Sequence, residues 1–202
     1  MPQLLGSNAS PFVRKVRVLI AEAGIEGIDY VEVSASPMGG EERINLANPL
    51  GKIPALVRDE GPTIFDSNVI CRFLDQRAGA GLYPAVRLWE VLTLEALADG
   101  MMEAALAIVY EKRFRPEHLW WPDWHAMQWA RIDRALDALE QTWLSHLAGK
   151  LTMGQVALAC ALGYLDLRHA DKGWRTGRPG LAAWFATFSA RPSMIATAVI
   201  PA

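Results

Sequence analysis

Ser10 is the residue whose type and position first suggest chemistry, since it stands in the stretch Ala-Ser-Pro-Phe at 9–12. Serine before proline is typical of a helix start, because the hydroxyl accepts a hydrogen bond from a free backbone N–H and proline at the first helical position loses none. The hydroxyl keeps its own proton, which it can donate to a bound group. Two interpretations stay open: a helix cap alone, or a cap that also holds a reacting atom.

A sulfur anion is the group that this position would favour. A thiolate placed there would accept a hydrogen bond from the hydroxyl and face the positive end of the helix dipole. Lowering the pKa of a thiol from ~8.5 by ~2 units requires about 2.7 kcal/mol. One hydrogen bond to a charged group contributes about 1.5–3 kcal/mol and the helix end up to ~1 kcal/mol, so together they are sufficient.

The segment NPLGKIPAL at 48–56 suggests a binding element for a peptide. Pro54 cannot donate to a ladder and belongs at the start of a strand, and the Ile53–Pro54 bond in a tight turn is a candidate for the cis form. A cis bond would turn the backbone N–H and C=O of Ile53 outward, where an extended peptide could pair with them. An ordinary turn is the alternative.

Asp66 and Ser67 stand in FDSNVI, where a predicted strand ends and a helix begins. Either residue can act simply as a helix cap. The free backbone N–H groups of such a helix start also bind carboxylates, and Asp66 can pair with an ammonium group. One α-amino acid head group would satisfy both, which is the second interpretation of this pair.

The elements that must position these residues follow from the hydrophobic periodicity of residues 1–77, which predicts the order β-α-β-α-β-β-α. Alternating or apolar runs predict the strands, and apolar residues at helical spacing predict the helices, with turn residues between them. The predicted strands are 3–6, 28–33, 55–57 and 63–65; the helices are 11–23, 41–47 and 67–77; a Pro/Gly-rich loop occupies 37–40.

From residue 87 onward the pattern predicts helices only. They cover 87–113, 123–148, 153–168 and 180–190. Thr152 and Gln155 have the spacing of a capping box at the start of the third. Glycines and a proline in AGAGLYP at 78–84 interrupt the periodicity. We therefore predict a domain over 1–77, a linker over 78–86 and an all-α domain over 87–202.

Composition excludes several classes of function. The 202 residues carry a net charge of -2, with 51% hydrophobic and 21% charged residues, so no basic face is offered to nucleic acid. The apolar runs are too short to cross a membrane and the start lacks a basic segment, so we expect a cytoplasmic protein. Two distant cysteines and four scattered histidines predict neither a disulfide nor a metal site.

These motifs, in this order and spacing, resemble the glutathione S-transferases over essentially the whole chain. The resemblance rests on SPFVRKVRVLIAEAGI, on NPLGKIPALV and on the Asp-Ser pair before a helix. The bacterial serine-type enzymes are most similar, and the plant tau type is a more distant relative. The resemblance implies a thioredoxin-like N-terminal domain packed on an all-helical C-terminal domain, a homodimer, and glutathione as co-substrate without a metal.

The resemblance also implies roles for individual residues. Ser10 matches the serine that donates a hydrogen bond to the glutathione sulfur. Ile53 would pair its backbone with the cysteinyl unit, and Lys52 would lie near the glycyl carboxylate or the γ-glutamyl end. Asp66 and Ser67 match the pair that binds the γ-glutamyl group. The full set of glutathione-binding residues is Phe12, Lys52, Ile53, Pro54, Asp66 and Ser67.

The family's helical domain usually carries Asp where this chain has Gln155, and a capping box works with either. Serine at position 10 cannot form a mixed disulfide, so thiol-transferase and dehydroascorbate-reductase activities are disfavoured. We expect the glutathione thiolate to attack small hydrophobic electrophiles, by conjugation or peroxide reduction, in a detoxification role.

The acceptor is expected between the domains, against the long helix 87–113. An apolar stripe with an arginine at its end would form the wall there, and methionine suits a permissive site. A core or dimer interface is the alternative for this stripe. Its residues are Met102, Ala105, Val109, Tyr110 and Arg113.

A binding or adaptor protein that keeps the fold without the chemistry is the competing function. The tryptophan-rich segment 118–129 motivates it, since that segment is equally compatible with a cleft, with packing and with a partner surface. The intact peptide-contacting positions favour the enzyme.

Overall fold

The computed structural model describes residues 1–199, and a three-stranded sheet organises its N-terminal part. The central strand β1 (Gln3–Gly6) pairs in parallel with β2 (Asp29–Glu32), Leu4 opposite Tyr30. On its other side β1 pairs antiparallel with β5 (Ala55–Val57), in the order β2-β1-β5. A βαβ unit therefore precedes an antiparallel return, and the order of its strands and helix is the one that the periodicity predicts.

Helix α1 (Pro11–Glu22) connects β1 to β2 and begins where Ser10 caps it. Its buried face includes Val13, Val16 and Leu19, all without exposed surface, which matches the apolar spacing in the sequence. Gly24, at φ +60°, follows the helix in the left-handed region that glycine adopts without strain.

Two details of the first domain differ from the prediction. The expected strand over 63–65 is reduced to a single bridge between Ile64 and Leu56. Arg58 donates two hydrogen bonds, of 2.9 and 2.7 Å, to the carbonyl of Pro62, and Asp66 already caps the next helix, so little chain is left for a ladder. The Pro/Gly-rich loop instead folds into a small ribbon of β3 (Ala35–Ser36) and β4 (Gly39–Gly40).

Two further helices complete this part, α2 (Glu42–Ala47) and α3 (Ser67–Ala78). Leu5, Val33, Ile44 and Ala55 form a small apolar cluster under α2. The other face of the sheet packs on α1 and α3 and joins the main core. The sheet therefore lies between two helical layers.

The remainder is helical. It contains α4 (Leu88–Phe114), α5 (Pro122–Ala138), α6 (Leu144–Leu147), α7 (Met153–Arg168), α8 (Pro179–Ser189) and α9 (Pro192–Ala196). Short 3₁₀ turns occur at Ala85–Arg87, Glu117–Leu119 and Ala170–Lys172. The predicted single helix over 123–148 contains a π-helical turn at Leu139–Trp143, which separates α5 from α6.

Helix α7 is the centre of the fold. It packs along α4 and against α1, and its side chains are buried on nearly every face. The predicted capping box is present at its start, where Gln155 Oε1 accepts a 2.7 Å hydrogen bond from the Thr152 N–H. Because α7 touches elements of both halves, one continuous apolar core joins the sheet domain to the helices.

Cys71 and Cys160 are buried free thiols within that core. In the described part of the chain no helix is long and apolar enough to cross a membrane. Over residues 1–199 no three His, Cys, Asp or Glu side chains gather in a way that could hold a metal ion.

Candidate active site

The sheet topology brings the three predicted motifs to one edge. Ser10 follows the carboxyl end of β1, and the antiparallel pairing of Leu5 with Ala55 places Ile53 beside that end. The chain then turns back through the bridge of Ile64 with Leu56, which returns it to the same edge at Asp66. Three segments far apart in sequence therefore line one edge of the sheet.

Ser10 occupies the N-cap of α1 in an extended conformation, φ −81° and ψ 124°. Its Oγ accepts a 3.4 Å hydrogen bond from the Val13 N–H, and its carbonyl accepts the first helical bond from Arg14 at 3.0 Å. The side chain is only partly buried. Since the cap uses Oγ as an acceptor, its proton remains available to a group outside the helix.

The Ile53–Pro54 peptide bond is cis. The backbone N–H and C=O of Ile53 have no hydrogen-bond partner within residues 1–199, so they can accept a peptide ligand. Asn48, 2% exposed, organises this loop: its Nδ2 donates to the Lys52 carbonyl at 2.8 Å, and its Oδ1 accepts from the Leu50 N–H at 3.0 Å. The Lys52 side chain is exposed.

Asp66 is the N-cap of α3. Its Oδ1 accepts hydrogen bonds from the backbone N–H groups of Asn68 and Val69, at 3.0 and 3.4 Å, which leaves Oδ2 for an ammonium group. Ser67 is 2% exposed. Phe12, on α1, is half-buried and packs against the main core.

A buried charge network lies beneath Asp66 and joins the two domains. Lys15, with no exposed surface, donates from Nζ to Asn68 Oδ1 at 2.6 Å and to both carboxylate oxygens of Asp99 at 2.9 Å. Its Nζ also lies 3.2 Å from Glu95 Oε1, and the Tyr83 hydroxyl donates to Glu95 at 2.9 Å. The network therefore fixes the first turn of α3 against α1 and α4.

The charges of this network are unequal, with one ammonium facing two carboxyl groups. Burial raises the pKa of Glu95, even though Lys15 opposes that effect. Burial alone would lower the pKa of Lys15, but the carboxylates of Asp99 and Glu95 outweigh it and raise that pKa. Lys15 is therefore charged, and Glu95 keeps its proton to a higher pH than an ordinary glutamate.

A cavity opens beside Ser10, between the start of α1 and the surface of α7. Tyr164 and Gly163 of α7 form its far wall together with the segment that follows α9. Burial raises the pKa of Tyr164 to about 12, so its hydroxyl is neutral at physiological pH. The residues lining the cavity are Asn8, Ala9, Ser10, Pro11, Arg14, Cys160, Gly163, Tyr164, Leu167, Ala198 and Val199.

The structure corrects part of the predicted acceptor wall. Met102 and Ala105 are 1% and 0% exposed and belong to the core, because α7 covers that face of α4. Val109 and Tyr110 are half-buried, and Arg113 is exposed near the end of α4. The far wall of the cavity beside Ser10 therefore comes from α7, and the sequence offered no signal that this apolar helix would border the site.

The tryptophan-rich segment is partly packed. Trp120 donates from Nε1 to the Arg115 carbonyl at 2.9 Å, and the rings of Trp124 and His125 lie 5.8 Å apart. Trp121 is 59% exposed. None of these residues lines the cavity beside Ser10.

Sequence reasoning missed Asn48, Arg14 and Tyr164. Asn48 carries a weak signal, since it precedes a proline and a glycine and can close such a turn. Arg14 and Tyr164 lie 150 residues apart on helices that meet only in the fold, so no local pattern pairs them.

The architecture is a sheet between two helical layers, with Ser10 at the start of its first helix, joined to an all-helical domain. The family models of the glutathione S-transferase N-terminal and C-terminal domains match residues 9–77 and 122–187. An uncharacterised GST-like protein of Escherichia coli (strain K12), YibF, is 34% identical over 96% of this chain and 97% of its own length.

Solved structures point to the same family. A glutathione transferase family member from Pseudomonas fluorescens Pf-5, crystallised with bound glutathione, is 42% identical and has a TM-score of 0.96 over 100% of both chains. A second structure from that source, with bound S-(propanoic acid)-glutathione, has a TM-score of 0.90 over 98% of this chain and 100% of its own. The chain belongs to the glutathione S-transferase family, and its thioredoxin-like and all-helical parts confirm the predicted fold class.

Proposed function

We propose that the protein is a glutathione transferase in which the Ser10 hydroxyl stabilises the glutathione thiolate. The observation that carries this proposal is the geometry of Ser10, whose Oγ caps α1 as an acceptor while its proton is free at the sheet edge shared with Ile53 and Asp66. The bound thiolate also faces the N-terminal end of a 12-residue helix. Both effects lower the pKa of the thiol, and a thiolate is the reactive nucleophile.

Each of the three parts of glutathione has its own proposed binding element. The backbone of Ile53, free of partners in the described chain, pairs with the cysteinyl unit. The free Oδ2 of Asp66 and the start of α3 hold the γ-glutamyl head group, and Lys52 lies near a terminal carboxylate. The glutathione bound to the Pseudomonas fluorescens relative supports glutathione as the ligand.

The reaction is attack by this thiolate on a small electrophile. Conjugation and peroxide reduction both begin from the same thiolate, and proximity to the bound acceptor supplies much of the rate. We place the acceptor in the cavity between Ser10 and Tyr164. Val109, Tyr110 and Arg113 lie on α4 as further candidates for its outer part.

The experiment compares wild type with Ser10→Ala and with Ser7→Ala, a serine in the same loop that does not cap the helix. The substrates are glutathione with an aromatic halide and glutathione with an organic hydroperoxide. Loss of a hydrogen bond to a charged group predicts a fall in kcat/KM of about 10- to 100-fold for Ser10→Ala. The Ser7→Ala variant should retain its rate. Equal rates in all three proteins would remove the role of Ser10.

A binding or adaptor protein without catalysis is the competing function. In such a protein the exposed Trp121 would contact a partner macromolecule. Glutathione binding separates the two functions, because an adaptor of this kind need not retain the tripeptide. Absence of binding to immobilised glutathione, together with no change in tryptophan fluorescence, would favour the adaptor.

We further propose a cytoplasmic homodimer that acts in detoxification, with domains over 1–77 and 87–202 and a linker over 78–86. A shallow groove between α4 and α5 supports the homodimer. Its lining combines five small or apolar residues with two charged ones: Ala96, Leu97, Gly100, Met101 and Ala135, with Glu103 and Arg131. Such a surface suits close packing of a second copy.

A further inference from the structure

Arg14 lies beside the proposed thiolate without being part of the tripeptide site. It stands one turn after Ser10 on α1 and lines the same cavity. Two of its nitrogens are fixed: Nη2 donates to the Met194 carbonyl at 3.0 Å and Nε to Thr197 Oγ1 at 3.4 Å. The guanidinium is therefore held in place between α1 and the segment after α9.

This guanidinium has no acidic partner within residues 1–199. Three other arginines that link elements are paired with carboxylates: Arg191 with Glu22 at 2.7 Å, Arg178 with Asp137 at 2.6 Å and Arg175 with Asp166 at 2.6 Å. The described residues that line the cavity include no aspartate or glutamate. A partly buried cation without a counter-charge favours an anionic ligand.

The third nitrogen of Arg14 points to the α7 wall. A Cβ built on Gly163 would lie 2.6 Å from Arg14 Nη1, so glycine at that position makes room for the guanidinium. The neighbouring Tyr164 hydroxyl is neutral, because burial raises its pKa to about 12. The cavity therefore carries the positive charge of Arg14 and, on its α7 wall, the neutral hydroxyl of Tyr164, but no negative charge from the described lining residues.

We propose that Arg14 selects acceptors that carry a carboxylate, such as α,β-unsaturated acids. This inference rests on the proposed function and names the substrate class of the same site. Nη1 and the second N–H of Nη2 have no partner within residues 1–199, and together they can donate two parallel hydrogen bonds to a planar carboxylate, which a single sulfur atom cannot accept in the same way.

The chemistry is an addition. The glutathione sulfur forms a bond to the β-carbon, the π bond of the alkene breaks, and its electron pair moves to the α-carbon, which takes a proton from solvent. The thiol proton leaves on binding, so the net change is addition of S–H across C=C. The carboxylate stays intact and remains bound to Arg14.

Binding of product-like probes tests this without requiring turnover. The probes are glutathione, S-(2-carboxyethyl)glutathione and its carboxamide, which has the same shape but no charge on the added group. Affinities are measured by calorimetry at neutral pH. Wild type should bind the acid about tenfold more tightly than the amide, as expected for one hydrogen-bonded charge pair. The Arg14→Met variant should lose that preference and bind glutathione within about twofold of wild type.

Three variants separate recognition from anchoring. Thr197→Val removes a contact of Arg14 but leaves its charge, and should keep the preference. Arg14→Lys keeps the charge without the planar guanidinium, so it should keep only part of the preference for the acid over the amide. Gly163→Ala should also reduce this preference, because the added methyl group displaces Nη1. Two results would overturn this inference but not the proposed function. One is a wild type that binds acid and amide equally, and the other is an Arg14→Met variant whose affinities for acid, amide and glutathione all fall by the same factor. Failure of wild type to bind glutathione itself would overturn both this inference and the proposed function.

Discussion

At the scale of the residue, Ser10 and Asp66 each cap a helix and each is proposed to contact glutathione. The Oγ of Ser10 and the Oδ1 of Asp66 each accept hydrogen bonds from the first turn of a helix. Each side chain keeps a second group for a ligand, a proton in Ser10 and an oxygen in Asp66. A substitution at either position therefore changes stability and binding together unless the replacement preserves the cap.

Asp66 allows these two effects to be separated. Asn is as good an N-cap as Asp, so Asp66→Asn should leave the free energy of unfolding nearly unchanged, whereas Asp66→Ala should lower it by about 1 kcal/mol. Both remove the charge and should weaken glutathione binding about tenfold or more. Urea denaturation and calorimetry provide the two measurements. Retention of full glutathione affinity by the Asn variant would show that no ammonium group pairs with Asp66.

At the scale of the element, the Lys15 network connects α1, α3 and α4 through charge. Lys15 contacts Asn68 on the first turn of α3 and Asp99 on α4. The helix that carries Ser10 and the helix that Asp66 caps are thereby held against the same element of the second domain. Because both carboxyl groups lie close to one ammonium, the protonation of Glu95 should be visible in the stability of the protein.

Glu95→Gln tests the protonation state. An ordinary glutamate ionises near pH 4.5, and burial raises the pKa of Glu95 in the folded protein above that value. Its contribution to stability is therefore complete below about pH 4.5 and is lost as the pH rises through the folded pKa. Relative to wild type, the Glu95→Gln variant should gain stability as the pH rises from about 4.5 through the folded pKa of Glu95.

Urea denaturation at a series of pH values gives the difference in unfolding free energy between the two proteins. The control is Glu90→Gln, which changes an exposed carboxylate on the same helix. Its stability relative to wild type at each pH gives the baseline for replacing a carboxylate that is exposed to solvent. A Glu95→Gln variant that loses stability relative to wild type as pH rises would show that the ionised carboxylate is favoured in the folded state.

At the scale of the whole molecule, the groove between α4 and α5 is the surface proposed for a second copy. Gly100 lies in it, is exposed, and a Cβ built there meets no atom within 4 Å. The fold of one chain therefore gives no reason for glycine at this position. A dimer would give one, because small residues allow two helices to approach closely.

Two substitutions of Gly100 test the homodimer. Gly100→Ala should raise the free energy of unfolding by about 0.5–1 kcal/mol through helix propensity and keep the dimer. Gly100→Arg should shift the dimer toward monomers without loss of helix content, since only the partner would clash. Sedimentation velocity at micromolar concentration measures both. A wild-type protein that sediments as a single 22.3 kDa chain would contradict the proposal.

The parts of the fold that the sequence predicts well are those set by local pattern. The start of α1 at Pro11 and the capping box at Thr152 each depend on a few neighbouring residues, and both are confirmed. The fold class follows from the alternation of strands and helices before residue 78 and helices alone after it.

Predictions that depend on tertiary packing, in which one element covers another, were less accurate. The apolar stripe of α4 correctly indicates a buried face, but nothing local shows that α7 covers Met102 and Ala105. The strand expected around Ile64 has the right composition, yet the tight turn closed by Arg58 leaves one bridge. The roles of the predicted site residues remain predictions, since they depend on a bound ligand.

The most direct test of the central claim is the ionisation of the glutathione thiol on the protein. Thiolate absorbance in the ultraviolet is measured against pH for glutathione bound to wild type and to Ser10→Ala, and for glutathione free in buffer. The pKa of the bound thiol should lie ~2 units below that of the free thiol in wild type, and most of that shift should vanish in the Ser10→Ala variant. An identical titration for bound and free glutathione would contradict the mechanism.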